Sequence, residues 1–307
     1  MDPSQASQWI KHKATSYGFF LCGIAKAQKL KTEANRLQEW LSKGYHGKMK
    51  YLENHFDKRI DPTLLVPGSQ SVICLAYNYM PNKNLDESNL NISKYALGED
   101  YHHVIKNKLQ NMVHEMQEQL GNFHYRVFTD SAPIMERVWA ERSGLGWIGK
   151  HGLLINKQKG SFFFLCEIIC DLKLEYDQAY SQDYCGTCNA CVDACPTDAI
   201  LPNKTLNAQK CISYLTIELK EEIPLEFKNK WDNWIFGCDI CQDVCPWNRF
   251  STPHQEPLFN PPPELEQLTQ QEWNGLTEVV FKNVFKKSAV KRAGYNKLKG
   301  TISFVKK

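Results

Sequence analysis

The stretch CGTCNACVDACPTDAI, residues 185–200, decides how this 307-residue chain is organised. Its four cysteines follow one another at spacings of two, two and three residues, and Pro196 comes directly after the last of them. A run of this spacing gives its first three thiolates to one [4Fe-4S] cluster and its fourth to a second cluster. The spacing therefore predicts a module that is built around iron. Its cysteines are Cys185, Cys188, Cys191 and Cys195.

A second cysteine run, Cys238-x2-Cys241-x3-Cys245, is also followed by a proline. Exchange of the last cysteine between the two runs predicts the first ligand set, which is Cys185, Cys188, Cys191 and Cys245. Val244 stands where the usual run has a third closely spaced cysteine, so the second set lacks one ligand. Cys211, between the runs, is the nearest candidate to complete it. The second predicted set is then Cys195, Cys211, Cys238 and Cys241.

Zinc is the competing interpretation, because two CxxC pairs separated by a longer loop can also form a zinc ribbon. The x2-x2-x3 spacing, the proline after each run and the total of eight ligands favour iron-sulfur clusters. The remaining cysteines lie in apolar, strand-like stretches and are interpreted as small buried hydrophobic residues. They are Cys22, Cys74, Cys166 and Cys170.

The composition, with 42% hydrophobic and 23% charged residues, is that of a globular protein long enough for about two domains. The first residues lack the pattern of a signal peptide, and no apolar run reaches the length of a membrane span. We therefore expect a cytoplasmic protein without membrane contact, in which clustered cysteines stay reduced.

Positive charge is concentrated at the C-terminal end. Residues 281–307 contain nine Lys or Arg and no acid, so the first 280 residues carry a net charge of −6. Such a segment fits a phosphate backbone, although a solvated lysine-rich helix face gives the same pattern. The candidate phosphate contacts are Lys286, Lys287, Lys291, Arg292, Lys297 and Lys299.

Apolar runs of strand length alternate with helix-like segments up to about residue 175. Strands are predicted within 71–80, 125–130 and 160–170, and helices at 32–44, 101–121 and 132–144, the last capped by Ser131. This pattern predicts an α+β chain in three parts. They are an α/β domain at 1–175, the iron-sulfur module at 176–258 and a short basic helical segment at 259–307.

Two short motifs are incomplete. The sequence from Gly144 to Gly149 fits GxGxxG, but it follows a helical stretch instead of a strand, so we interpret it as a close approach of the backbone to another element. Asp100 and His102 begin the DxHxxG signature of corrinoid proteins, but Ile105 occupies its glycine position. A corrinoid bound through that histidine is not indicated.

Asp130 is the candidate catalytic acid. It follows an apolar strand and precedes a helical stretch, which is where open α/β sheets place functional groups. Beside an apolar ligand its pKa would rise, and it could donate a proton near neutrality. The alternative interpretation is that Asp130 only caps the following helix.

Eight segments, in order along nearly the whole chain, resemble the epoxyqueuosine reductase family. The resemblance is to a short form that lacks the C-terminal helical-repeat domain of longer members. The segments are YHGKMKYL (45–52), RIDPTLLVPGSQSVI (59–73), KYALGEDYH (94–102), TDSAPIMER (129–137), GLGWIGKHGLLIN (144–156), GSFFFLCEI (160–168), CISYLTIEL (211–219) and FGCDICQDVCPWNR (236–249).

The resemblance implies a nitroreductase-like, cobalamin-binding domain followed by a ferredoxin-like module with two [4Fe-4S] clusters. It implies reduction of epoxyqueuosine to queuosine at the wobble position of tRNA, the last step of queuosine biosynthesis. Asp130 matches the proposed general acid. The resemblance also implies a corrinoid pocket formed by Arg59, Tyr95, Ser131, Lys150, His151 and Ser213. An external electron donor is required, and we expect a monomer.

The alternative enzyme is a corrinoid iron-sulfur reductase of a small molecule, as in reductive dehalogenases. A basic surface would be superfluous for a small neutral substrate, which favours tRNA. A protein that is not an enzyme is the other alternative, either an electron carrier or a zinc-based nucleic-acid binder. The colour of the purified protein tests the zinc alternative, because iron-sulfur clusters absorb visible light and are bleached by a reductant, whereas a zinc protein is colourless.

Overall fold

The computed structural model describes residues 1–83, 85, 90–231 and 233–306. Lys307, at the end of the predicted basic segment, lies outside the described residues. The helices are α1 (Pro3–Ser16), α2 (Lys31–Ser42), α3 (Phe56–Ile60), α4 (Tyr101–Leu120), α5 (Glu136–Arg142), α6 (Ala190–Asp193), α7 (Ile240–Asp243), α8 (Pro263–Glu266), α9 (Gln270–Asn274), α10 (Glu278–Val284) and α11 (Tyr295–Val305). None of the described helices is both long and apolar enough to cross a membrane.

The strands are β1 (Leu21–Lys26), β2 (Ser71–Asn78), β3 (Asn91–Ile92), β4 (Tyr125–Phe128), β5 (Trp147–Ile148), β6 (Leu154–Ile155), β7 (Phe163–Cys170), β8 (Ile200–Leu201), β9 (Thr205–Leu206) and β10 (Trp234–Phe236). The main sheet has the order β1-β2-β7-β4, and all its pairs are antiparallel. Its two central strands are almost entirely buried because helices cover both faces. The predicted strands at 71–80, 125–130 and 160–170 are confirmed.

The two faces of the sheet carry separate apolar cores. On one face, α1 and α4 pack through residues such as Ile10, Ile105 and Met112. On the other face, α5 packs through Val138 and Trp139. The residues that follow the edge strand β4 contact the first residues of both α4 and α5. Asp130 is hydrogen-bonded to Tyr101 of α4 and to Glu136 of α5.

The third predicted helix begins later than expected. Residues 132–144 were predicted as helical with Ser131 as cap, but α5 begins at Glu136, and its N-cap Met135 makes no side-chain capping bond. The cap prediction is therefore wrong. Ala132 precedes Pro133, which disfavours the helical conformation at residue 132, and Asp130 has a left-handed φ of +43°. Residues 129–135 form a loop between β4 and α5.

The cysteine-rich part contains little regular structure. Two four-residue helices pack against each other, of which α6 follows Cys188 and contains Cys191, and α7 contains Cys241. The hairpin β8-β9 lies beside α6. Glycine is required at Gly146 in the loop before this part, because a Cβ there would lie 2.1 Å from the Ile155 carbonyl oxygen. The prediction of a close backbone approach in this loop is confirmed.

The C-terminal segment is helical, as predicted, and it is packed into the protein. An apolar cluster joins Leu298 and Ile302 of α11 to Ile92 of β3 and Phe236 of β10. Strands β3 and β10 pair in parallel beneath it. This cluster includes residues of all three predicted parts, so the boundaries at 175 and 258 stay predictions. Lys286, Lys287, Lys291 and Lys299 are exposed on the outer side of this segment, and its apolar residues pack into the protein.

Candidate active site

Asp130 lies in the loop after β4, and two hydrogen bonds fix it. The Tyr101 hydroxyl donates to Oδ2 at 2.6 Å, and the Asp130 backbone N–H donates to Oε1 of Glu136 at 2.6 Å. The Asp130 side chain keeps 66% of its surface exposed. Because α5 begins six residues later, Asp130 does not cap it. The carboxylate is held in place and open to a ligand.

The strand-end argument that drew attention to Asp130 rests on a rule for parallel sheets. The sheet here is antiparallel, and β4 is its edge strand. The position of Asp130 follows instead from the left-handed turn at that residue and from the start of α4 beside it. Side chains with short polar groups tolerate this backbone conformation better than most others.

The first turn of α4 forms the wall beside Asp130. Asp100 caps the helix and lies 2.6 Å from His102 Nδ1. The Tyr101 ring stacks on Phe164 of β7, with centroids 4.1 Å apart. His102 Nε2 lies 3.8 Å from Asp130 Oδ2 and accepts a hydrogen bond from Arg292 Nη1 at 3.0 Å. Arg292 therefore brings the basic segment to the site.

Tyr101 and His102 were not predicted as site residues. The DxHxxG comparison had singled out Asp100 and His102, but only to test for a corrinoid ligand. The capping position of Asp100 was the signal that could have placed both side chains on the first turn of a helix. Their proximity to Asp130 depends on how α4 packs on the sheet.

Two further carboxyl groups lie behind Asp130. Glu167 is fully buried at the centre of β7, and neither of its carboxyl oxygens has a hydrogen-bond partner among the described residues. Burial raises the pKa of Glu167 well above its usual value, and burial also raises the pKa of Glu136. The negative charges of Glu136 and Asp130 also raise the pKa of Glu167. Burial therefore favours the protonated form of Glu167.

The structure distributes the predicted pocket residues around Asp130 and the cysteines. Tyr95 packs edge-on against Tyr101 at 6.0 Å, and burial followed by the charge of Asp130 raises its pKa. Lys150 donates to the Cys188 carbonyl oxygen at 2.8 Å. Ser213 immediately precedes a π-helical turn, Tyr214–Glu218. Ser131 is exposed beside Asp130.

Arg59 and His151 carry polar atoms that the protein does not satisfy. Arg59 Nε and His151 Nε2 are buried and have no partner among the described residues. Burial, followed by the charge of Arg137, lowers the pKa of His151 to about 4, so it is neutral. Arg137 is itself exposed and donates a hydrogen bond to the Gly152 carbonyl oxygen next to His151. Unsatisfied donors of this kind fit a large ligand with many acceptor groups, such as a corrinoid.

The cysteine thiols separate into two groups by proximity. Burial raises the pKa of Cys191, and its thiol neighbours are Cys185, Cys245 and Cys188. Burial likewise raises the pKa of Cys238, whose thiol neighbours are Cys211 and Cys195, and that of Cys241, whose thiol neighbours are Cys238, Cys211 and, with a smaller effect, Cys191. The two ligand sets stay predictions.

Among the described residues, no group of three or more His, Cys, Asp or Glu closes around a single metal ion. The four thiolates of a [4Fe-4S] cluster each bind a different iron, so they stand farther apart than the ligands of one ion. Cys74, Cys166 and Cys170 are buried, which confirms their predicted role in the core, and Cys22 is half-buried.

Comparisons with known proteins agree with this geometry. A family model described as a 4Fe-4S double cluster binding domain matches residues 184–248, and one described as epoxyqueuosine reductase QueG matches residues 59–131. An epoxyqueuosine reductase of Cyclobacterium marinum is 57% identical over 98% of this chain and 96% of its own. One of Escherichia coli is 41% identical over 96% of this chain and 79% of its own.

Solved structures give the same result. The chain is similar to an epoxyqueuosine reductase with a tRNA-Tyr epoxyqueuosine-modified stem loop, with a TM-score of 0.90, 29% identity and coverage of 98% of this chain and 80% of the other. A Bacillus subtilis epoxyqueuosine reductase, described with its catalytic aspartate loop swung out of the active site, has a TM-score of 0.89 at 29% identity and covers 98% of this chain and 81% of its own. A reductive dehalogenase shares the fold at 15% identity, with a TM-score of 0.52 and coverage of 98% of this chain and 38% of its own.

Proposed function

The chain belongs to the epoxyqueuosine reductase family, and from this premise we infer that it reduces epoxyqueuosine to queuosine at the wobble position of tRNA. Its cofactors are two [4Fe-4S] clusters and cobalamin. When bound, these groups supply the two electrons that removal of the epoxide oxygen consumes. The reaction also takes up two protons, and the oxygen leaves as water.

We assign the cluster ligands as the two groups of neighbouring thiols. Cys195 belongs to the first cysteine run but serves the second set, and Cys245 does the reverse, so the two runs form one module. Cys211 completes the second set. The support is the proximity of Cys211 to Cys238 and Cys241.

Asp130 is the proton donor in this proposal, and its fixed but exposed carboxyl group is the observation that carries it. Protonation of the departing oxygen assists opening of the epoxide. The Tyr101 hydroxyl orients Oδ2. Glu136 accepts a hydrogen bond from the Asp130 backbone N–H, which holds the loop, and burial raises the pKa of Glu136 to about 8. The catalytic aspartate loop of the Bacillus subtilis relative agrees with this role.

The corrinoid is held, in this proposal, by the residues that surround Asp130 and the second cysteine set. The unsatisfied nitrogens of Arg59 and His151 donate to it, and Tyr95 closes the apolar side. Ser131 lies beside Asp130 and Ser213 lies two residues after Cys211, whereas Lys150 approaches from the side of the first set through Cys188. We also propose that residues 1–175 form a nitroreductase-like domain and that the protein works in the cytoplasm.

The basic segment binds the tRNA phosphates in this proposal. Lys286, Lys287, Lys291 and Lys299 are exposed, while burial lowers the pKa of Lys297 to about 8 and weakens its contribution. Arg292 reaches from this segment to His102 beside Asp130. Cationic side chains on phosphate give salt-dependent affinity, and the wobble base must leave its stack to reach a site inside the protein.

The proposed function is tested by anaerobic incubation of the reconstituted protein with cobalamin, a reductant and tRNA from cells that lack the activity. Nucleosides from the digested tRNA are then analysed by mass spectrometry. The proposal predicts conversion of epoxyqueuosine to queuosine. Unchanged epoxyqueuosine with fully loaded cofactors would refute it.

A further inference from the structure

Aromatic side chains surround the outer side of the first cysteine set. The Trp147 Nε1–H donates to Cys185 Sγ at 3.5 Å. Trp247 lies 5.2 Å from Trp147, 5.9 Å from Tyr184 and 6.1 Å from Phe250, measured between ring centroids. We call this group the aromatic collar, and its members are Trp147, Tyr180, Tyr184, Trp247 and Phe250.

The collar reaches solvent at Phe250 and the first cysteine set at Cys188, whereas Trp147, Cys191 and Cys245 are buried. Cys188 is exposed, whereas the cysteines of the second set are half-buried. Val244, which precedes Cys245, and Phe250 each keep 39% of their surface exposed. Large apolar side chains beside an exposed cluster ligand form a surface on which another protein can dock.

The second cysteine set lies on the active-site side. Asp239, between Cys238 and Cys241, is buried and accepts a hydrogen bond from the Lys94 backbone N–H at 2.7 Å. The adjacent residue, Tyr95, packs against Tyr101, which binds Asp130. These contacts connect the second cysteine set to Asp130.

The rim of the collar is positively charged. Lys157 Nζ lies 4.9 Å from the Tyr184 ring centroid, and Arg249 Cζ lies 4.6 Å from that of Phe250. In the part of the chain that the structure describes, neither cation forms an ion pair. The nearby acids Asp183 and Asp243 are paired with Lys204 at 2.9 Å and Lys94 at 2.6 Å. Asp193 and Asp198 are further exposed acids of the cysteine-rich part.

We propose that the aromatic collar, with Val244 and the cations Lys157 and Arg249, is the docking surface for an acidic one-electron carrier protein. The inference rests on the proposed function, which needs two electrons per epoxide. In each encounter one electron passes from the reduced carrier to the first cluster, so the carrier is oxidised by one electron and no bond forms or breaks. Two encounters supply one turnover. Transient redox complexes use small interfaces of this kind, steered by complementary charge.

The test compares a protein reductant with a small one. Oxidised holoenzyme, without tRNA, is mixed anaerobically with fully reduced flavodoxin, and bleaching of the cluster absorption is followed by stopped flow. The double variant Lys157→Glu and Arg249→Glu should slow bleaching by flavodoxin at least tenfold and leave bleaching by dithionite unchanged. Its rate should also lose most of its salt dependence. Phe250→Ser should weaken flavodoxin binding without altering the iron content.

The matched control is the double variant Lys26→Glu and Lys173→Glu, which changes the net charge equally at exposed positions outside the collar. It should be reduced by flavodoxin about as fast as the parent. Equal rates for the parent and the collar variant would overturn the proposal. Loss of tRNA affinity in the collar variant, with normal reduction by flavodoxin, would assign the surface to RNA and would also overturn it.

Because the clusters are reduced in the absence of tRNA, this result is independent of the proposed function. Normal cluster reduction by flavodoxin in a protein that leaves epoxyqueuosine unchanged would refute the proposed function and keep the docking surface. Epoxyqueuosine reduction that proceeds with a collar variant as fast as with the parent, with flavodoxin as the sole reductant, would refute the docking surface alone.

Discussion

Asp130 adopts a left-handed backbone conformation that turns its carboxyl group out of the loop after β4 and toward the first turn of α4. The sequence identified this residue, but the reason was partly wrong, because the sheet is antiparallel and α5 begins six residues later. What could not be derived from the sequence is the partner. Tyr101 contacts Asp130 only because α4 packs on the sheet in which β4 is the edge strand.

Tyr101→Phe tests this partner. The change removes the hydrogen bond to Asp130 and keeps the ring that stacks on Phe164. A hydrogen bond to a charged group is worth about 1.5–3 kcal/mol, so we expect single-turnover epoxyqueuosine reduction to slow by about 10- to 100-fold. Iron and cobalamin contents should stay at the parent level. A rate equal to that of the parent would show that Tyr101 does not orient the acid.

Glu167→Gln tests the buried carboxyl group through the pH dependence of stability. The folded pKa of Glu167 is raised by burial, so its stabilisation is fully present below the unfolded pKa of about 4.3 and is lost as the pH rises toward the folded pKa. The parent should therefore lose up to about 1.4 kcal/mol per pH unit relative to the variant above pH ~4.3. Thermal unfolding of the two proteins between pH 5 and 8 measures the difference, and parallel Tm curves would contradict a raised pKa.

The elements show where pattern reasoning succeeds. Strands β2 and β7 were predicted from nearly continuous apolar runs of strand length, and helices α2 and α4 from helix-like segments between such runs. The start of α5 was missed because a proline at the first turn and a preceding serine are the usual signals of a helix start, and here tertiary contacts of Asp130 and Glu136 extend the loop instead. The C-terminal segment was predicted to be basic and helical, but its charge pattern did not reveal the apolar cluster beneath it.

Leu298→Ala tests whether the C-terminal segment is an integral part of the fold. Leu298 is fully buried where α11 packs on β10. Truncation of a buried leucine costs about 2–5 kcal/mol, so the unfolding transition should move to clearly lower denaturant concentration. Val279→Ala, at a position of α10 that is 68% exposed, is the matched control and should change stability by less than about 0.5 kcal/mol. Equal effects of the two changes would mean that α11 does not contribute to the core.

At the scale of the whole molecule, we propose that electrons enter at the aromatic collar and that Asp130 delivers the proton. Cysteine spacing predicts the two ligand sets, because it is a local constraint that metal chemistry imposes on the sequence. The pocket residues are predicted only through family resemblance, since they come from loops far apart in the chain. The position of Arg292 beside His102 depends on the docking of the C-terminal segment, which no local pattern encodes.

Cys211→Ser tests how the two cysteine runs are joined. Cys211 lies outside both runs, beside Cys195 and Cys238. The variant should lose the second cluster and bind about four iron atoms per chain, where the parent binds about eight. Cys74→Ser, in the core of the sheet, is the control for a lost thiol that is no ligand. A full iron content in the Cys211 variant would show that another residue completes the second set.

The most direct test of the account is single-turnover reduction of epoxyqueuosine in tRNA by the pre-reduced holoenzyme and by its Asp130→Asn variant, followed by nucleoside mass analysis. Glu118→Gln, on the exposed side of α4, serves as control. Loss of a general acid lowers rates by about 10²–10⁴-fold, so the Asp130 variant should keep both clusters and cobalamin yet form queuosine at least 100-fold more slowly. Queuosine formation at the parent rate would contradict the central claim.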